Sequence, residues 1–200
     1  IEKAEVDPLR STGVSSVGVP PMEEVHTPAV GTIEAVCGFL KTQPTEMIKT
    51  LIYSSKAEAQ AAKDIGEKLA QHDGRLVVRS DAHFELDYAV LVRGDHEVNP
   101  EKLGIVIGEP VDLATENTIL ERTGAKVGFA GPVGLAAKVH KLIVDPAVAA
   151  MAVGVTGANK TDYHTKNVVP GRDFPLDGDS VVVADIRNAV EGDTYQGKPL

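Results

Sequence analysis

The run Tyr88-Ala89-Val90-Leu91-Val92 leaves no position for a solvated face. A strand alternates its side chains between two faces, so a continuously apolar run must be covered on both sides. This predicts a central strand with other elements packed above and below it.

The elements that supply that cover are spread along the chain. After Thr32, read as the N-cap, Ile33, Val36, Cys37 and Leu40 fall at i, i+3, i+4 and i+7, one face of a helix that Gln43-Pro44 ends. Thr50-Leu51-Ile52-Tyr53 predicts a strand with Lys49 at its entrance. The Ala-, Glu- and Lys-rich segment Lys56 to Gln71 predicts a helix, and Leu76-Val77-Val78 a strand. Pro100 to Leu103 and Glu116 to Thr123 read as short helices, the latter stopped by Gly124. Lys141 to Val144 and Ser180 to Ala184 read as strands, with a small-residue helix from Pro146 to Met151 between them. Interleaved strands and helices predict a mixed α/β (α+β) fold with a mixed central sheet and surrounding helices.

Composition narrows the class. A 200-residue chain that is 42% hydrophobic supports one domain with a sizeable core; being only 4% aromatic and without Trp, it must build that core from Val, Ile, Leu and Ala. A net charge of -9 opposes general attraction to phosphate backbones, so a nucleic acid would be held locally or by another module. The single Cys37 excludes an internal disulfide and a multi-Cys zinc site, which suits a reducing cytoplasm. No apolar run approaches the roughly 20 residues of a membrane span. Residues 1–24, with Pro8, Gly13, Gly18, Pro20 and Pro21, read as linker or extended lead-in, and 25–200 as one domain. Starting at Ile1 and stopping after Gly197-Lys198-Pro199-Leu200, the chain reads as a fragment of something larger.

Three segments could carry chemistry: the strand opening Thr45 to Leu51 with Lys49, the glycine loop Gly128 to Pro132, and the polar run Asn159 to His164. Singly each has an ordinary reading: a solvated lysine, a turn, a surface histidine. The loop lacks the Lys-Ser/Thr ending of a phosphate-binding P-loop.

In order, however, Glu24 to Pro28, Ile48 to Tyr53, the run Leu91-Val92-Arg93-Gly94-Asp95-His96-Glu97-Val98-Asn99, Gly128 to Leu135 and Val183 to Asn188 resemble the insertion (editing) domain of bacterial prolyl-tRNA synthetase. The resemblance spans about Val25 to Leu200, with a longer interval from Ser54 to Tyr88 than the family pattern. It implies the fold of free-standing aminoacyl-tRNA deacylases and hydrolysis of alanine wrongly esterified to proline tRNA. By the same resemblance Lys49 is the essential lysine and Gly128, Phe129, Ala130, Gly131 and Pro132 form the substrate-binding backbone loop. Thr27, Asp145 and His164 fall at pocket positions. No metal and no cofactor is implied for editing, ATP being used by the synthetic domain of the full-length enzyme. The implied partners are the alanine-bearing acceptor end of proline tRNA and the rest of the synthetase, a cytoplasmic homodimer with no membrane association.

These residue types suit the chemistry. An aminoacyl ester is already activated, so its hydrolysis needs a positioned water and stabilisation of a developing oxyanion more than a strong nucleophile. Backbone N–H groups of the glycine loop could supply that stabilisation, and Lys49 could either clamp the terminal phosphate or polarise the ester. The resemblance points to the 2′-hydroxyl of the terminal ribose as the group that assists the water. His164 then shapes the pocket rather than acting as base. Two competing readings are a metal-dependent hydrolase, using Asp95, His96, Glu97, His140, Asp145 or His164, and a non-catalytic module that binds the tRNA end.

Overall fold

The computed structural model describes residues 18–55, 86–191, 193–195 and 198–199. The helix expected over Lys56 to Gln71, the strand expected at Leu76 to Val78 and most of the 1–24 lead-in lie outside the described residues.

A five-stranded mixed sheet forms the frame. Its strands are β2 (Ile48–Ser55), β3 (Asp87–Arg93), β4 (Val111–Leu113), β5 (Lys141–Val144) and β8 (Val181–Val183), in the order β4-β2-β3-β5-β8. β3 is central, antiparallel to β2 and parallel to β5. Its continuous apolarity has the expected cause. Ala89 and Leu91 join one core with Ile48, Ile52, Leu142 and Val144, while Tyr88, Val90 and Val92 join another with Tyr53, Leu103 and Ile143. Side chains of this size contribute about 1.5–3 kcal/mol each when fully buried, so covering both faces of β3 is a large part of the driving force.

A second sheet carries β1 (Glu23–His26), β7 (Tyr163–Val168) and β6 (Gly154–Gly157) in the order β1-β7-β6. It meets the first sheet at the start of β2, where Met47 bridges Val155 and Thr156 Oγ1 donates to the Ile48 carbonyl at 2.9 Å. A two-residue pairing of β9 (Thr194–Tyr195) with β10 (Lys198–Pro199) follows.

The helices fall close to expectation. Thr32 caps α1 (Ile33–Leu40), accepting from the Ala35 N–H, and α3 (Glu116–Thr123) ends at Gly124. α2 (Pro100–Ile107) continues one turn past Leu103, through Gly104, before stopping at Gly108; α4 (Pro146–Ala149) is two residues shorter than expected. Arg122 of α3 reaches the buried Asp87 carboxylate, which also accepts from Ser54 Oγ at 2.6 Å, fixing this helix to β3. The last two residues of the polar run, Tyr163 and His164, open β7. Among the described residues no helix is long and apolar enough to cross a membrane.

Candidate functional site

The junction of the two sheets encloses a cavity of about 410 Å³. Its deep wall is buried and mainly apolar, formed by Val36 of α1, Met47, Ile48 and Ile52 at β2, Gly157 of β6 and His164 of β7. Leu113 and Val127, both exposed, stand at the mouth. Gly31, Gly128 and Ala130 also line it. The volume is in the range of small-ligand sites, and a few polar groups converge on an apolar surface.

His164 is held by Thr27. Its Nδ1 lies 2.7 Å from Thr27 Oγ1, within hydrogen-bond distance. Burial pushes the imidazole below its ordinary value, with the Gly128 carbonyl opposing in part. Burial thus favours the neutral ring, which forms part of the cavity wall. The Phe129 ring packs against it with centroids 5.5 Å apart.

Close packing, not turn geometry alone, dictates the glycines of the 128–132 loop. A side chain on Gly128 would meet the Gly31 carbonyl oxygen at 2.6 Å, and Gly128 has φ +94°. The loop packs backbone to backbone on β6: a Cβ on Gly131 would overlap the Gly157 carbonyl, and one on Gly157 would overlap the carbonyls of Phe129 and Ala130. The loop's donors are then accounted for one by one. Phe129 N–H goes to the Lys126 carbonyl, Gly131 N–H to Asn159 Oδ1, and Pro132 has none. Among the described residues the N–H groups of Gly128 and Ala130 have no partner, and both residues line the cavity.

Lys49 borders the cavity as the second residue of β2. Its ammonium is held by Glu97 Oε1 at 2.7 Å and by the His96 carbonyl at 2.8 Å. The run Arg93 to Glu97 supplies both partners. Arg93 forms a two-point pair with Asp95, at 2.6 and 2.8 Å, and its Nη2 donates to His96 Nε2 at 3.0 Å. Arginine carries no acceptor, so His96 is neutral there, and burial lowers its pKa. This arrangement fixes the chain at the point where it presents the carboxylate to Lys49.

The structure thus brings Lys49, Gly128, Ala130 and His164 to one cavity, with Thr27 and Phe129 against His164, whereas Gly131 and Pro132 do not line it. Asp145 does not line it either. Buried at the end of β5, it accepts from Ala147 N–H at 2.9 Å and Ile186 N–H at 3.3 Å, and caps α4 rather than facing the cavity. Among the described residues no group of three His, Cys, Asp or Glu could hold a metal ion. Thr50 lines the cavity with no hydrogen-bond partner for its buried hydroxyl, a feature that strand periodicity alone did not single out.

Residues 27–174 match the aminoacyl-tRNA editing domain family. The chain is 42% identical over 185 residues to the proline–tRNA ligase of Thermoanaerobacter sp. (strain X514), covering 90% of this chain and 27% of the ligase. It is 38% identical over 194 residues to that of Geobacter sp. (strain M21), covering 96% and 28%. The chain spans about a quarter of the length of these curated relatives. Its fold is like that of a candidate trans-editing enzyme for prolyl tRNA synthetase, with TM-score 0.55 and 15% identity, covering 84% of this chain and 87% of the other.

Proposed function

The chain belongs to the aminoacyl-tRNA editing domain family, and from that premise we propose that it hydrolyses the ester of alanine mischarged onto proline tRNA, as the editing part of a prolyl-tRNA synthetase. The observation that carries this reading is that His164, paired with Thr27, lines the same cavity as Gly128 and Ala130, whose N–H groups have no partner among the described residues.

Water adds to the ester carbonyl carbon with the 2′-hydroxyl of the terminal ribose assisting. Negative charge develops on the carbonyl oxygen, toward which Gly128 and Ala130 donate. Collapse breaks the acyl–oxygen bond and releases alanine and the free ribose hydroxyl. Preorganised donors of this kind contribute about 10²–10³-fold in rate each. No side-chain nucleophile, metal ion or cofactor enters the step. Lys49, at the rim, grips the terminal phosphate or polarises the ester.

A synthetic site shaped for proline rejects the smaller alanine weakly, because lost methylene contacts are worth only about 1–3 kcal/mol each. The buried wall of His164 and Gly157 excludes the bulkier prolyl group by size. With a charge of -9, the chain relies on the remainder of the synthetase to hold the tRNA.

The test is deacylation of alanyl- and prolyl-tRNA(Pro) by the full-length protein, with and without EDTA. The alanyl ester is hydrolysed, the prolyl ester spared and EDTA without effect. Hydrolysis of neither above the uncatalysed rate sinks the reading, and EDTA-sensitive hydrolysis replaces it with a metal-dependent one.

A further inference from the structure

We infer that Asn159 is the positioning residue of the 128–132 loop, an inference that rests on the editing reading of the same cavity. The loop has no ladder of its own to hold it, yet the reaction needs two of its N–H groups in fixed positions. Asn159 supplies the missing constraint. Its Nδ2 donates to the Gly131 carbonyl at 2.9 Å and the Val133 carbonyl at 3.0 Å, and its Oδ1 accepts from the Gly131 N–H at 2.8 Å. Its own backbone N–H donates to the Phe129 carbonyl at 2.9 Å.

One side chain thus grips both sides of a single residue's backbone, with all its amide hydrogens used. The amide orientation follows from the partners: turned over, its oxygen would face two carbonyls. No other residue type fits as well. Asn159 has φ +53°, a left-handed conformation that asparagine tolerates and most residues do not. Aspartate would lose both donors, and glycine would keep the backbone but lose the grip.

The placement couples two parts of the site. Asn159 lies in the connection between β6 and β7, and β7 carries His164. At the far end of the same connection Asp162 accepts from the Thr27 N–H through its carbonyl and from the Ala29 N–H through its carboxylate. One hairpin therefore sets the histidine wall, its Thr27 partner and the loop of donors.

The test compares Asn159→Gly with wild type in the full-length protein, reading steady-state deacylation of alanyl-tRNA(Pro) and hydrogen–deuterium exchange of the peptide covering residues 127–135. Asn159→Gly is expected to lower kcat by about 10²-fold, the scale of an ångström-level misplacement, with little change in KM. Exchange of that peptide rises while the rest of the chain stays protected. Wild-type kcat, or unchanged exchange in the loop, overturns the inference. Should Asn159→Gly fail to fold, the near-isosteric Asn159→Asp decides: it too lowers kcat at unchanged KM, and wild-type kcat in it overturns the inference. A wild-type protein that does not deacylate sinks the editing reading alone, because exchange is measured without substrate.

Discussion

Thr27 Oγ1 and His164 Nδ1 lie 2.7 Å apart across 137 residues of sequence, with Thr27 0% and His164 2% exposed. In that setting a lost hydrogen-bond partner is not replaced by water. Thr27→Val keeps the shape and removes the hydroxyl, leaving Nδ1 buried without a partner. It is expected to lower the unfolding free energy by about 1–3 kcal/mol in urea titration, with Thr27→Ser recovering most of the loss. Equal stability of Thr27→Val and wild type would show that the pair contributes nothing.

Stability should fall on the acid side of the histidine range. Burial lowers the pKa of both His164 and His96 from 6.5. The unfolded chain therefore binds more protons than the folded one just below that pH. The contribution is complete above 6.5 and lost as pH falls toward the folded values. Unfolding free energy measured against pH should slope accordingly, less steeply in His164→Gln. A profile flat through this window would contradict the neutral assignments.

Lys49→Ala should abolish deacylation while the fold stays intact by circular dichroism. Glu97→Gln separates the two roles open to the lysine. Glu97 is 72% exposed, and such surface pairs are worth about 0–1 kcal/mol, so stability should barely change. A phosphate gripped by Lys49 must displace Glu97, so Glu97→Gln then lowers KM for the tRNA. A change in kcat alone points to polarisation of the ester.

Gly157→Ala places a methyl group into the backbone of Phe129 and Ala130. Deacylation should fall by about 10²-fold or more as the loop is pushed away. Gly38, inside α1 with nothing within 4 Å of its Cβ position, is the control. Gly38→Ala should stabilise by about 0.5–1 kcal/mol and leave activity unchanged. An active Gly157→Ala protein would mean the close approach is not needed.

His164→Ala removes the wall that separates alanine from proline. Prolyl-tRNA(Pro), spared by wild type, should become a substrate, read as a collapse of the ratio of kcat/KM values. Retained discrimination would place the size filter elsewhere on the cavity.

Features set by neighbours within a turn or a strand were legible before any fold was known. The apolar run at Tyr88 to Val92 needed cover on both faces and became the centre of the sheet. Thr32 and the 3.6-residue spacing after it defined α1, and Gly124 ended α3. The short or glycine-bearing strands β4 and β6 carry too little periodicity to announce themselves, and β7 begins inside a polar run. Ordered motifs pointed to the family and to Lys49 and the glycine loop, but not to what those groups touch.

Contacts across the sheets belong to the tertiary structure. Sheet register decided that Thr27 meets His164, that Glu97 meets Lys49 and that Gly131 lies on Gly157. It also turned Asp145, expected in the pocket, into a helix cap, and made Asn159 the holder of the loop. The physical reason is range: caps and periodicity act over a few residues of chain, whereas a hydrogen bond or a backbone contact between distant segments exists only once the sheets have brought them within a few ångströms.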